Sequence, residues 1–96
     1  MQIEHQNTKH GGVFYIERDQ ARIAEITYQQ RDAQTMIADH TWVDPLLRGK
    51  GLARQLLDAL VSFAREKHLK IIPQCSYVDV IFRRDPSLAD VDASIL

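Results

Sequence analysis

Only one long stretch of this chain repeats its apolar side chains at helical spacing. From Gly51 to His68, the residues Leu52, Ala53, Leu56, Leu57, Leu60, Phe63 and Ala64 recur in the i, i+3, i+4 rhythm, while Arg54, Asp58, Arg65 and Glu66 lie mostly off that stripe. A single amphipathic helix cannot bury its own stripe, so the rest of the chain must supply the surface it packs on. That surface reads as a sheet. Val13 to Glu17 and Ala21 to Gln29 are rich in β-branched and aromatic residues, and alternation over Thr35 to Val43 predicts Met36, Ala38, His40 and Trp42 on one face. Arg18-Asp19-Gln20 reads as a tight turn and Gln30 to Gln34 as a second reversal, which together predict a three-stranded antiparallel meander. Met1 to Gly11 is polar, with first residues that fit a short edge strand, and Gly11-Gly12 reads as a flexible lead-in or turn.

Beyond the third strand, Asp44-Pro45 ends the pairing, because proline has no ladder donor and biases its predecessor away from helix. Lys70 to Gln74 follows the helix as a buried strand with a break or bulge at Pro73, and Cys75 emerges just past it. Tyr77 to Arg84 predicts a short helix stopped by Asp85-Pro86, and Ser87 to Leu96 carries no clear periodic signal. The predicted class is α/β (α+β). It has a mostly antiparallel sheet, a main helix after the third or fourth strand, a further strand and a short C-terminal helix, in a single domain over 1–96.

Composition narrows the function. A hydrophobic share of 45%, a charged share of 26% and a net charge of −1 describe a globular chain and argue against a large nucleic-acid footprint. No apolar run approaches the roughly 20 residues that span a bilayer, and Met1 to His10 has no signal-peptide core, so no membrane partner and a cytoplasmic location are expected. The single Cys75 forms no internal disulfide, and His5, His10, His40 and His68 are too scattered to suggest a ligand pair, so no metal is expected.

The junction between the third strand and the helix, Leu47-Arg48-Gly49-Lys50-Gly51-Leu52-Ala53-Arg54, concentrates the chemistry. Two glycines permit close approach of a ligand, and the first N–H groups of the helix point out of its positive end, a combination suited to a phosphate or pyrophosphate. Arg48, Lys50 and Arg54 add cationic cover. The dinucleotide fingerprint fails because Arg54 stands where its third glycine is required, and the P-loop fails because Gly51, not Ser or Thr, follows Lys50.

The pattern Arg-x-x-Gly-x-Ala at Arg48, Gly51 and Ala53, opening a helix after a strand, resembles the acyl-CoA-binding signature of the GCN5-related N-acetyltransferase (GNAT) superfamily. His40-Thr41-Trp42-Val43 upstream, the helix itself and Lys70-Ile71-Ile72-Pro73-Gln74-Cys75 downstream are similar to the short, single-domain branch of that superfamily, so the resemblance covers about residues 12 to 86. It implies a GNAT-like sheet whose strands splay on either side of the helix. It further implies acetyl-CoA as acyl donor, held by Trp42, Val43, Arg48, Gly49, Lys50, Gly51, Leu52, Ala53 and Arg54, and an amine acceptor. By the same resemblance Cys75 is a candidate catalytic thiol, with His40 across the splay as its partner or as a base acting on the acceptor. Each has a plainer reading: a small buried hydrophobe for Cys75, a core histidine for His40 and a core aromatic for Trp42. Direct attack by the acceptor in a ternary complex is the preferred route, with transfer through acetyl-Cys75 or a non-catalytic CoA-binding module as alternatives. The two helices that usually wall the acceptor site are missing from this sequence, so an open or borrowed acceptor pocket is expected, in a monomer or weak homodimer.

Overall fold

The computed structural model describes residues 2–95. In chain order the elements are β1 (Glu4–Thr8), β2 (Gly11–Arg18), β3 (Ala21–Asp32), β4 (Thr35–Val43), a 3-10 turn (Pro45–Leu47), α1 (Leu52–Lys67), β5 (Lys70–Pro73), α2 (Ser76–Arg84) and a second 3-10 segment (Pro86–Val91). The strands lie in the order β1-β2-β3-β4-β5; the first four are antiparallel and β5 joins β4 in parallel through the α1 crossover. The edge strand over the first residues is present; Met1 itself lies outside the described residues.

The apolar stripe of α1 decides the layering. Leu52, Leu56, Leu57, Leu60, Val61 and Ala64 are buried against Ile16, Ala24, Ile26, Tyr28, Met36 and Ala38 of the sheet. Fully burying a Leu or Ile stabilises by about 1.5–3 kcal/mol, so this contact dominates the core. Val78 and Phe82 of α2 and Leu88 and Val91 of the last segment join the same cluster. Helices therefore cover one face of the sheet, while Tyr15, Glu25, Thr27, Ile37 and Trp42 on the other face remain partly exposed. A thickness of 19 Å fits one sheet plus one helical layer.

The structure corrects or sharpens four readings of the sequence. Gly11-Gly12 is not a lead-in but the start of β2, because Tyr28 of β3 crosses the glycines so closely that a Cβ at Gly12 would lie 2.5 Å from its hydroxyl. The turn precedes them at Lys9-His10. The second reversal is shorter than Gln30 to Gln34, since β3 continues to Asp32 and only Ala33 and Gln34 turn. The C-terminal segment docks: Ala93 N–H donates to Ile71 O at 2.8 Å and Asp92 bridges Ile71, although Leu96 lies outside the described residues.

The fourth change bears on function. A β-bulge interrupts β4, since Thr27 pairs with His40 but the next residue, Tyr28, pairs with Ala38, leaving Asp39 unpaired. Met36 and Ala38 face α1 as expected, but beyond the bulge the alternation reverses. Thr41 and Val43 now lie opposite the core residues Ile26 and Ala24, while His40 and Trp42 lie opposite Thr27 and Glu25 on the uncovered face. Asp39 is held there by Thr27 Oγ1 at 2.5 Å and Gln29 Nε2 at 2.8 Å, one donor to each carboxylate oxygen.

Candidate active site

β5 accompanies β4 only to the pair Ala38–Pro73, so the last five residues of β4 have no strand on that edge. The backbone leaves the edge where Cys75 N–H donates to Ala38 O at 2.8 Å. Into the gap opens a cleft of about 250 Å³ lined by Thr41, Trp42 and Val43 of β4, Leu47, Arg48, Gly49 and Gly51 of the turn, Leu52 and Ala53 of α1, and Tyr77 of α2. Seven of the nine expected cofactor-binding residues thus meet in one cavity. Thr41, Leu47 and Tyr77 join them; the first two lie in the stretches that carried the resemblance without being assigned to the cofactor, and Tyr77 was not singled out as a site residue. Tyr77 sits in the first turn of α2, and burial raises the pKa of its phenol, which therefore stays a neutral hydrogen-bonding group at physiological pH.

The turn has the backbone geometry that an anion site requires. Asp44 ends β4 and accepts from Leu46 N–H at 2.9 Å, which rolls Pro45–Leu47 into its 3-10 turn and aims the chain at α1. Gly49 and Gly51 both adopt φ of 81°, a left-handed backbone that side-chain-bearing residues avoid. Gly51 is the N-cap of α1, and neither a side-chain cap nor an acidic residue in the first turn satisfies the leading N–H groups. Uncapped amides at the positive end of a 16-residue helix, bordering a cleft, fit a phosphate. Arg48 donates from Nε to Val43 O at 3.1 Å, which anchors its guanidinium across the cleft.

Lys50 and Arg54 do not line the cleft. Arg54 is committed elsewhere, to Asp58 at 2.9 Å and Asp85 at 2.6 Å; these carboxylates, Asp58 foremost, raise its pKa further. Asp85 falls to about 2 through its bonds to Ser87 and then Arg54. These ion pairs tie the start of α1 to the end of α2.

Cys75 and His40 do not meet. Cys75 is the N-cap residue of α2 and its Sγ donates to Thr41 Oγ1 at 3.4 Å, so the thiol faces a hydroxyl from the cleft wall. The bulge turns His40 to the opposite face, where its Nε2 lies 3.3 Å from Glu25 Oε2. No group of three or more His, Cys, Asp or Glu side chains able to hold a metal occurs among the described residues, and none of their helices is long and apolar enough to cross a membrane.

The sequence matches the family described as GCN5-related N-acetyl-transferase over residues 13–91. The chain belongs to the GCN5-related N-acetyltransferase family. A GCN5-like protein from Staphylococcus aureus is 37% identical, superposes with a TM-score of 0.74, and the alignment covers 93% of this chain and 86% of that one. The same fold occurs in a GNAT family acetyltransferase from Elizabethkingia anophelis with acetyl-CoA bound, at 18% identity and TM-score 0.61, covering 78% of this chain and 52% of that one. It also occurs in a ribosomal-protein-alanine N-acetyltransferase from Brucella melitensis biovar Abortus 2308, at 18% identity and TM-score 0.63, covering 80% and 62%. This GNAT chain thus aligns with about half of the first of those two proteins and under two thirds of the second. Its sheet carries α1, β5 and α2 in the family order, but the face opposite α1 bears no helix among the described residues.

Proposed function

We propose that this GNAT protein binds acetyl-CoA in the cleft between β4 and α1 and transfers the acetyl group to an amine by direct attack in a ternary complex. The observation that carries this reading is the convergence of an uncapped helix N-terminus, two left-handed glycines and an unpaired strand edge on one cavity. In this reading the amides of Leu52 and Ala53 with Arg48 hold the pyrophosphate, and the open edge of β4, ending at Val43, offers backbone hydrogen bonds to the pantetheine with Trp42 beside it. Bound acetyl-CoA supplies an activated acyl thioester.

The acceptor needs help from the chain. A lysine-like amine of pKa about 10.4 is well under about 1% neutral at pH 7, so a base must take its proton. His40 is the candidate, acting directly or through water. Transfer by way of Cys75 is the less favoured route, because the thiol's nearest polar partner is the Thr41 hydroxyl, which is neither a cation nor a base at neutral pH.

Calorimetry with acetyl-CoA, CoA and ATP tests the binding step. Micromolar affinity for both CoA species and none for ATP is expected, and failure to bind any CoA thioester overturns the assignment. Thioester consumption over a panel of amines then separates an acetyltransferase from a non-catalytic CoA-binding module.

A further inference from the structure

The uncovered face of the sheet carries an ordered row of side chains that the cofactor cleft does not use. Arg22 lies over the Tyr15 ring at 4.0 Å and its Nη1 donates to Glu25 Oε1 at 3.0 Å. The second oxygen of Glu25 faces His40 Nε2 at 3.3 Å, so the row runs across β2, β3 and β4 and ends on His40. Glu25 is thereby fixed at both oxygens, one on Arg22 and one on His40. Beside it, Thr27 and Gln29 pin Asp39, the bulge residue that turns His40 to this face.

The row also ends beside the cleft. Thr41 and Val43 face the helical layer and Trp42 faces the uncovered side, yet all three line the cavity, so the cleft passes around the open edge of β4 from one face to the other. His40 lies two residues before Trp42 on the same face, about 7 Å along the strand.

We propose that Glu25 is a positioning residue for His40, the base that acts on the acceptor amine. This inference rests on the reading of the cleft as an acetyl-CoA site with His40 as its base. A neutral imidazole that donates Nε2–H to Glu25 carries its lone pair on Nδ1, the nitrogen left to accept a proton. The acceptor ammonium loses one proton to Nδ1 and from there to solvent. Its neutral nitrogen then forms a C–N bond to the acyl carbon as the C–S bond breaks, the second proton leaves through the same imidazole, and the departing thiolate takes up a proton. The balance is one amide, one CoA thiol and one proton released to solvent. Arg22, held by Tyr15, keeps the Glu25 carboxylate in place.

Three measurements on Glu25→Gln test this. First, nitrogen NMR of the His40 ring, recorded without CoA, is expected to show the Nε2–H tautomer in the wild type and a loss of that preference in the variant. Second, kcat is expected to fall at least about tenfold, as a fraction of the roughly 10²–10⁴ that a positioned base supplies, while the KM and calorimetric affinity for acetyl-CoA stay unchanged. Third, Glu25→Gln in a His40→Ala background is expected to cost nothing further, since Glu25 acts through the imidazole. Glu25→Asp, which keeps the charge, should recover part of the loss and serves if Glu25→Gln folds poorly. An unchanged tautomer, an unchanged kcat or an equal loss in the His40→Ala background overturns the role of Glu25. Wild-type protein that binds no acetyl-CoA overturns the reading of the cleft instead, and the ring tautomer still decides whether Glu25 orients His40.

Discussion

Replacing Gly51 by Val separates the cost of the turn from the cost to the ligand. The backbone there has φ of 81° and ψ of 10°, a left-handed conformation that an L residue adopts at a cost of about 1–2 kcal/mol, with a β-branched residue at the upper end. Nothing lies within 4 Å of a Cβ built at Gly51, so no steric clash adds to this strain. At about 4–8 °C per kcal/mol for a domain of this size, the melting temperature should fall by about 4–16 °C. A domain stable by roughly 5 kcal/mol or more remains folded at 25 °C after that loss.

The effect on the ligand should be larger than the effect on the fold. The space around the Gly51 Cβ is open and Gly51 lines the cleft, so the valine methyls occupy volume that the phosphate needs next to the Leu52 and Ala53 amides. Losing two charge-assisted hydrogen bonds at about 1.5–3 kcal/mol each weakens binding by about 3–6 kcal/mol, more than a hundredfold. Calorimetry with CoA, alongside circular dichroism and a thermal melt on the same sample, reads both quantities. A folded variant with wild-type affinity refutes the assignment of this turn to the pyrophosphate.

The two arginines of this region should behave differently. Arg48→Ala is expected to weaken CoA binding by about 1–3 kcal/mol and flatten its salt dependence, whereas Arg54→Ala, whose charge already serves Asp58 and Asp85, should leave affinity within about twofold. Equal losses in a calorimetric titration would place both guanidiniums on the ligand. Cys75→Ala should keep substantial turnover, and wild-type protein incubated with acetyl-CoA without acceptor should carry no hydroxylamine-labile adduct; a competent adduct on Cys75 establishes the covalent route. His5 stacks on Phe14 at 4.1 Å and shares a 2.7 Å hydrogen bond with Tyr28, and burial lowers its pKa below 6.5. The unfolded chain then binds the proton more readily, so this contribution is complete above pH 6.5 and declines as the pH falls below it. His5→Phe should show a smaller loss of urea midpoint between pH 8 and pH 5 than the wild type, and an identical slope would remove His5 from the linkage.

Local signals of high information were legible in the chain. The stripe of α1 predicts the main helix and the sheet it packs on, because a period of 3.6 sustained over four turns cannot be satisfied by a strand. Arg48, Gly51 and Ala53 then predict the cleft, because turn and helix start are contiguous in sequence. Features that depend on distant partners were not legible. Nothing near Gly12 announces that Tyr28 will cross it, and nothing near Arg54 announces the Asp85 carboxylate that the fold brings within 2.6 Å. Tyr77 enters the cleft only because α2 starts directly beyond the point where β5 stops.

The Asp39 bulge shows why a pairing inferred along one strand failed while the residues themselves remained of interest. Strict alternation places His40 with Met36 and Ala38 on the core face, across from Cys75, and a period of two leaves no other outcome. One extra residue reverses every position after it. Asp39 is stable in that role because Thr27 and Gln29, two apart on β3 and so on the same face, supply a donor for each of its carboxylate oxygens. The bulge thus gives Cys75 a hydroxyl and His40 a carboxylate, and divides the end of β4 into a side that faces the helices and an uncovered side that carries His40. With the cleft at the unpaired edge between them, a five-stranded sheet with helices on a single face brings residues of both faces to one site.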